Sequence, residues 1–411
     1  MSDIPLSLSS YTINALWQLP LLFAAGWCLS RWLRPVGPEL QHRIWIAVLI
    51  VAALAPAAPM FRSYFAQQAS TPDSSVPPAE MPASLTGRLL PPIGAGIVLP
   101  PTVIHVIAWL YGASLVFFLI RLCVQIRRTS ALVAGAGPAP MQPEYVALWE
   151  RSKERFSIRA ATLLRSDEVS GPVTAGFRHP VVILPAAFLC AHSETELLAA
   201  IAHECAHVRR DDYRKNLFYE VVALATAFHP ATWLIKSQIA QTREMVCDRM
   251  AAEQLSDRRA YGRCLLQLAS RMPPAASVAG FQTIGMFDKD VFEKRIMNLM
   301  ISPPRVTAIR RYLLSGTAVV LLSICAGVAG AISQPVAAQT PKQTQSATKQ
   351  KDGPNLDCTY YEKGVGFPGT CGRDQTNKAK FVCSKNEDLT LSQNQAGCEW
   401  KVLRAEKAKP E

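Results

Sequence analysis

No Cys-x2–4-Cys pair, helix-turn-helix signature or strand alternating aromatic with basic residues occurs in the 411 residues. Direct nucleic-acid binding is therefore not expected, although the net charge is +12 and such charge can mark a nucleic-acid partner. Lys and Arg are missing from the first ten residues, and only Arg62 and Arg88 occur between 62 and 100. With no basic region ahead of the first apolar run, a cleaved signal peptide is not expected. Apolar side chains, by contrast, are abundant. Hydrophobic residues make up 49% against 18% charged, and mean hydropathy is +0.12. That balance points to a membrane protein. The length allows a membrane part plus one or two soluble units.

Four stretches are long and apolar enough to cross a hydrocarbon core of about 30 Å as helices: residues 11–32, 44–61, 101–120 and 312–332. Arg31, Arg34 and Arg43 lie between the first two. Arg121, Arg127 and Arg128 follow the third, and Arg305, Arg310 and Arg311 precede the fourth. Cytoplasmic flanks carry the excess of Lys and Arg. The expected arrangement has both the N-terminus and the C-terminal tail outside, with residues 121–311 in the cytoplasm. The expected domains are a membrane region with three spans over 1–130, a soluble domain over 131–311, the fourth span over 312–332, a polar linker over 333–353 and a small extracytoplasmic domain over 354–411.

Four of the eleven cysteines, Cys358, Cys371, Cys383 and Cys398, crowd the last 54 residues. A segment so small and polar can bury little apolar core. Two disulfides would hold it together, and they need an oxidising compartment, as expected outside the membrane. Three pairings are possible, and spacing does not choose among them. A small zinc knot is the rival, but intervals of twelve, eleven and fourteen residues lack the close pairs of such sites. Residues 333–353, polar and of low complexity, read as a tether.

Within 131–311, residues 155–164 have strand character, and turns over 171–185 frame a short apolar strand at Val181–Leu184. Ser193 and Glu196 then form the capping-box pattern of a helix start. Leu197, Leu198, Ile201 and Cys205 give this helix a mostly apolar face, and it is expected to run to about Arg210. It carries His203 and His207 in the order HExxH. Residues four apart share a helix face, so both imidazoles point the same way and each can give one nitrogen to Zn2+. Glu204, offset by about 100°, can reach a water at the metal without being a ligand. Zinc needs a third protein ligand. A further helix is expected over 241–255, opened near Pro230, with Glu244 and Asp248 four apart on one face. Glu244 is placed as third ligand, and Asp248 to hold the far nitrogen of a ligand histidine.

HExxH alone also arises in helices that simply bury two histidines. Glu204 and the later carboxylate pair favour the metal, because burying such acids without a partner is costly. Cys205 and Cys247 are expected to face the core, Cys247 about 100° away from either carboxylate. His229, before Pro230, is expected to be structural. Residues 217–235 are nearly long enough to span, but Glu220, His229 and Pro230 interrupt them. A span there would part Glu244 from His203, so a helical hairpin packed in the core or against the membrane face is expected.

The stretches "AIAHECAHVRRDD" (200–212), "FHPATWLI" (228–235) and "TREMVCDRMA" (242–251), with "GPVTAGFRHPVVILPAAF" (171–188) upstream, resemble the BlaR1/MecR1-type membrane metallopeptidases, peptidase family M56. The similarity covers about residues 10–310. It implies a multi-pass α-helical membrane protein with a mainly helical, gluzincin-like zinc metallopeptidase domain in the cytoplasm between the third and fourth spans. It implies one zinc ion held by His203, His207 and Glu244, with Glu204 catalytic, and Asp248 matches the aspartate that follows the third ligand. To this the cysteines add a small disulfide-rich extracytoplasmic tail. Well-known members sense β-lactams outside, through a penicillin-binding domain acylated on serine, and answer by cutting a cytoplasmic repressor. Here only 79 residues follow the fourth span. Direct sensing by acylation is therefore not expected, and the tail would meet another envelope ligand or protein. The family is chiefly bacterial, which implies a bacterial plasma membrane.

The expected function is a membrane zinc endopeptidase that cuts a cytoplasmic regulatory protein, such as a transcriptional repressor, in answer to an envelope signal. Tyr213, Arg209 and Tyr219 are candidate donors to the oxyanion that peptide hydrolysis creates. Two rivals stay open. A quality-control membrane protease of the HtpX kind shares HExxH and a later Glu and Asp, but needs no disulfide-bound tail outside. A receptor with a purely structural zinc site is disfavoured by Glu204 and the open fourth position.

Overall fold

The computed structural model describes residues 3–69, 96–139, 143–185, 188, 193–255, 257–271, 284–285, 289–300 and 307–339, and in the C-terminal tail the strands 357–362, 365–373, 381–384, 389–393 and 406–407. They fall into two compact units, 1–339 and 340–411. In chain order the helices are α1 (Asp3–Trp32), α2 (Pro38–Leu54), α3 (Ala58–Ala69), α4 (Pro101–Gly135), α5 (Pro143–Arg155), α6 (Glu194–Arg210), α7 (Asp212–Ala223), α8 (Pro230–Gln254), α9 (Arg258–Arg271), α10 (Lys289–Met300) and α11 (Ala308–Ile332). The strands of the first unit are β1 (Ile97–Leu99), β2 (Gly137–Pro138), β3 (Thr162–Arg165), β4 (Val173–Ala175), β5 (Val181–Leu184), β6 (Ile284–Gly285) and β7 (Val336–Ala338).

Among the described residues, four helical stretches are long and apolar enough to cross a membrane: 4–32, 38–62, 101–135 and 308–332. Each contains or overlaps one of the four expected runs and extends past it. α4 and α11 leave large apolar side chains exposed, among them Trp109, Phe117, Tyr312 and Val319. Such surface suits hydrocarbon, where backbone groups must be bonded within the helix.

The first of these helices is not apolar all round. Ser10, Asn14 and Gln18 recur every four residues, hence on one face, and all three are buried. Asn14 Nδ2 donates to the Gln334 carbonyl at 2.8 Å, and Asn14 Oδ1 accepts from Gln334 N at 3.0 Å. Gln18 Nε2 donates to the Ala329 carbonyl at 3.0 Å and to Ser333 Oγ at 2.8 Å. These bonds tie the start of α1 to the end of α11, and away from water each is electrostatically stronger. Beside them β1 and β7 pair in parallel.

At the other end of the bundle, helices of the 131–311 segment share one core with α1 and α2. Tyr219, Ala223, Ala231, Ile235 and Ile239 cluster with Leu29, Trp45, Val48 and Leu49. His42 Nδ1 lies 3.1 Å from Thr242 Oγ1. Residues 217–235 form a helical hairpin, broken between Ala223 and Pro230 by a single 3-10 turn at Leu224–Thr226. His229 Nδ1 accepts from Ala231 N at 3.1 Å and so caps α8.

A five-stranded sheet, in order β2-β3-β5-β4-β6, covers the rest. β3 and β5 run parallel, and the other pairings are antiparallel. β5 is the strand expected at Val181–Leu184, and all four of its residues are buried. The strand expected over 155–164 is confined to its last residues. α5 runs to Arg155, and Ser157 turns the chain with φ 55° before β3 begins at Thr162. Leu148, Trp149, Ser152 and Phe156 are buried at helical intervals, so the 3.6-residue period prevails there.

Among its described residues the second unit holds five strands, β8 (Asp357–Glu362), β9 (Val365–Arg373), β10 (Phe381–Ser384), β11 (Leu389–Gln393) and β12 (Glu406–Lys407), in the order β12-β11-β10-β9-β8. Cys371 of β9 stands directly opposite Cys383 of β10 in the antiparallel register, and Cys358 opposite Gly369. Cys398 and linker residues 340–353 lie outside the described residues.

Candidate active site

α6 opens with both halves of a capping box. Ser193 Oγ accepts from Glu196 N, and Ser193 N donates to Glu196 Oε2 at 2.8 Å. It closes at Asp211, which adopts the left-handed conformation (φ 61°), and α7 starts at once with Asp212. That sharp turn carries the Asp212 carboxylate back to α6, where Oδ2 lies 2.9 Å from His207 Nδ1.

α6 and α8 cross so that His203, His207 and Glu244 meet. The two Nε2 atoms are 3.2 Å apart, and Glu244 Oε2 is 3.3 Å from one and 3.6 Å from the other. All three residues are buried. Behind the rings, His203 Nδ1 is 3.1 Å from Asp248 Oδ1, as His207 Nδ1 is close to Asp212. A carboxylate at Nδ1 holds the ring proton there and leaves the Nε2 lone pair free. Two ring nitrogens and a carboxylate oxygen thus converge on one point, where either a metal cation or a ring proton shared with Glu244 can join them. Ligands about 2.0–2.1 Å from one tetrahedral ion lie roughly 3.3 Å from each other, which these separations match. The three residues could hold a metal ion.

Glu204 follows His203 on α6 and is fully buried. Its Oε2 accepts from Thr174 Oγ1 of β4 at 2.6 Å, while Oε1 has no hydrogen-bond partner among the described residues. Burial raises its pKa above the usual carboxylate value, more than His207, His203 and Thr174 lower it. A carboxylate so tuned can take up a proton and give it back.

Glu244 is oriented by its neighbour, since Arg243 Nε donates to Glu244 Oε1 at 3.1 Å and leaves Oε2 for the histidines. Asp248 is gripped from α10. Arg295 Nε donates to Oδ2 and Nη2 to Oδ1, each at 2.7 Å, and Tyr261 OH of α9 donates to Oδ1 at 2.8 Å. Burial alone would raise the Asp248 pKa, but the Arg295 guanidinium outweighs it and holds the carboxyl below its ordinary range. Cys247 is buried, and its Sγ touches the site, 3.3 Å from His207 Nδ1 and 3.3 Å from Asp212 Oδ2. Burial pushes this thiol up to about 12. With no cation beside it the thiol keeps its proton and donates to Asp212.

Sequence reasoning placed His203, Glu204, His207, Glu244 and Asp248, and the structure brings these five together. It did not single out Asp212, Thr174, Tyr261 or Arg295. The first two lie within the quoted stretches, one residue past the left-handed turn and within the strand upstream. Tyr261 and Arg295 carry no local signal. Of the suggested oxyanion donors, Tyr213 is buried in the cluster containing Val173 and Ile183, Tyr219 in that containing Trp45, and Arg209 is exposed.

The family model for the BlaR1 peptidase, M56, matches residues 12–299. The chain belongs to peptidase family M56. Methicillin resistance mecR1 proteins of Staphylococcus aureus and Staphylococcus epidermidis are each 23% identical to it over 241 residues, 56% of this chain and 40% of theirs. The chain thus covers about two fifths of the length of the curated relatives it matches. The matched region of this M56 member contains α6, Glu244 and Asp248, and stops one residue short of the end of α10. The chain is thus a mostly helical member of a peptidase family, with four helices among its described residues long and apolar enough to cross a membrane, and the relatives it matches are bacterial. Its family suggests a metal, and among the described residues two overlapping groups could hold one: His203, His207 and Glu244, and His207, Asp212 and Cys247.

Proposed function

We propose that this M56 member is a zinc endopeptidase of the bacterial plasma membrane that cuts a cytoplasmic regulatory protein in answer to a signal outside. The observation that carries the reading is the convergence of two histidine Nε2 atoms and one Glu244 oxygen, with the half-bonded, fully buried Glu204 alongside. His203, His207 and Glu244 would hold one zinc ion. Bound there, zinc would polarise the scissile carbonyl and acidify a water. Glu204 takes the proton as that water attacks and passes it to the leaving amine. Thr174 fixes the carboxylate through Oε2 and leaves Oε1 for the proton. Asp248 and Asp212 keep both rings in the tautomer that coordination requires.

The mecR1 name attached to the relatives refers to methicillin resistance. For this chain a transcriptional repressor is the favoured protein substrate, with the lipid bilayer around the spans. The charge clusters support an N-terminus and tail outside and the catalytic helices inside. The four tail cysteines would form two disulfides, and the register of β9 and β10 sets Cys371 opposite Cys383. After α11 the Ser-x-x-Lys spacing occurs once, at Ser346–Lys349 within the polar tether. An envelope ligand or protein is the favoured input. The test is to purify the full chain in a neutral detergent, measure its metal content, and compare protein cleavage by the wild type and Glu204→Gln. Cleavage that survives Glu204→Gln, or a chain that folds without taking up metal, would overturn the reading.

A further inference from the structure

A second concave site lies on another side of α6, away from the converging histidines. It encloses about 590 Å3 between α5, α6, the end of α8 and α9. That is within the range of small-molecule sites, about 300–1,000 Å3. Phe156, Leu198, Ala202 and Leu255 give it apolar walls. Arg151 and Arg155, four apart on α5, and Arg263 on α9 also line it, and no Asp or Glu does. Among the described residues, none of the three arginines has a carboxylate partner in an ion pair. The nearby Glu196 is engaged with Ser193 in the capping box. Gln254, at the end of α8, lines the same space, and its Oε1 is buried with no hydrogen-bond partner among the described residues.

Three cations around one apolar cavity repel each other unless an anion joins them. The planar guanidinium fork matches a carboxylate or a phosphate. A buried, unbonded carbonyl oxygen calls for a donor. We propose that this cavity is a binding site for a small organic anion: a carboxylate or phosphate monoester on a compact apolar body, carrying one hydroxyl or amide donor that meets Gln254. Its acid group sits among Arg151, Arg155 and Arg263, and its body lies against Phe156, Leu198 and Leu255. The helix that supplies Arg263 also carries Tyr261, which bonds Asp248 and lies 3.1 Å from His203 Nδ1. Occupancy therefore bears on the helix that braces the metal site. The binding claim itself does not depend on peptidase activity.

The test is calorimetric titration of the full chain in neutral detergent with 4-hydroxybenzoate as probe. Phenol lacks the anion and acetate lacks the apolar body. Saturable binding of 4-hydroxybenzoate, with both controls at least tenfold weaker, is expected. Solvent screens pairs made by exposed guanidinium groups, so Arg155→Gln should weaken binding by roughly threefold, and the triple variant Arg151→Gln, Arg155→Gln, Arg263→Gln by roughly tenfold or more. These arginines are exposed, so helix content and metal content should be unchanged in the variants. Ala260→Trp fills the cavity while keeping all three charges, and should also block the probe. Absence of saturable binding to the wild type, equal binding by the triple variant, or phenol binding as well as the anion would each overturn the proposal.

Discussion

Arg295→Met keeps an unbranched stem of similar bulk and deletes the fork that gives Asp248 two bonds of 2.7 Å. Arg295 and Asp248 are each no more than 1% exposed. Removing one partner leaves a buried carboxylate without its counter-charge, a loss of about 3–5 kcal/mol. Arg295 holds the Asp248 pKa below its ordinary value of 3.8. A group depressed in this way stabilises the fold above its unfolded pKa, and that contribution disappears as pH falls through the folded value. In Arg295→Met this acid-side contribution should be absent, so stability should depend less steeply on pH below about 4. Without the fork Asp248 also holds His203 Nδ1 less firmly, and metal affinity should fall by about 10–100-fold. Adding Asp248→Asn removes the stranded charge, and the double variant should be more stable than Arg295→Met alone. Denaturant titration of metal-saturated protein in detergent reads the first effect, and chelator competition the second. A single variant within about 1 kcal/mol of wild type, with unchanged metal affinity, would refute the argument that the α10 arginine supports the metal site.

Four further outcomes are expected. Glu204→Gln should abolish proteolysis and keep its metal, whereas His203→Ala should lose the metal; equal metal loss in both would merge the two roles. Glu244→Ala should empty the site while Cys247→Ser leaves it filled, as read by metal content per folded chain; the reverse would move the third ligand to the thiol. Thr174→Val removes a bond that lowers the Glu204 pKa, so the acidic limb of kcat/KM should move to higher pH, by roughly one unit for a bond worth about 1.5 kcal/mol; an unmoved limb would detach Glu204 from the proton transfer. In a cysteine-free chain in intact cells, a cysteine placed near Ser346 should react with an impermeant thiol reagent and one near Ser256 only after lysis; labelling of both would put the catalytic helices outside and remove cytoplasmic substrates.

What was legible in the sequence follows from geometry that a chain carries with it. A mostly apolar run of about twenty residues needs no partner to declare a candidate span, and the Ser193–Glu196 box closes within one helical turn. His203 and His207, like Glu244 and Asp248, share a face because four residues return a helix to nearly the same side. Arg155 and Phe156 show the limit. Over 155–164 the apolar positions suited a strand, but burial of Leu148, Trp149 and Ser152 extended the helix to its last turn. The supports of the site depend on packing between segments far apart in the chain. Arg295 meets Asp248 across 47 residues, Tyr261 across 13, and Thr174 meets Glu204 across 30. Asn14 bonds Gln334 across 320 residues, which ties the start of the first span to the end of the last. Cys371 and Cys383 likewise become neighbours only through the register of β9 and β10. No local period relates these pairs. An arginine in a helix looks the same in sequence whether it faces water or a buried aspartate, and only the crossing of α8, α9 and α10 decides which.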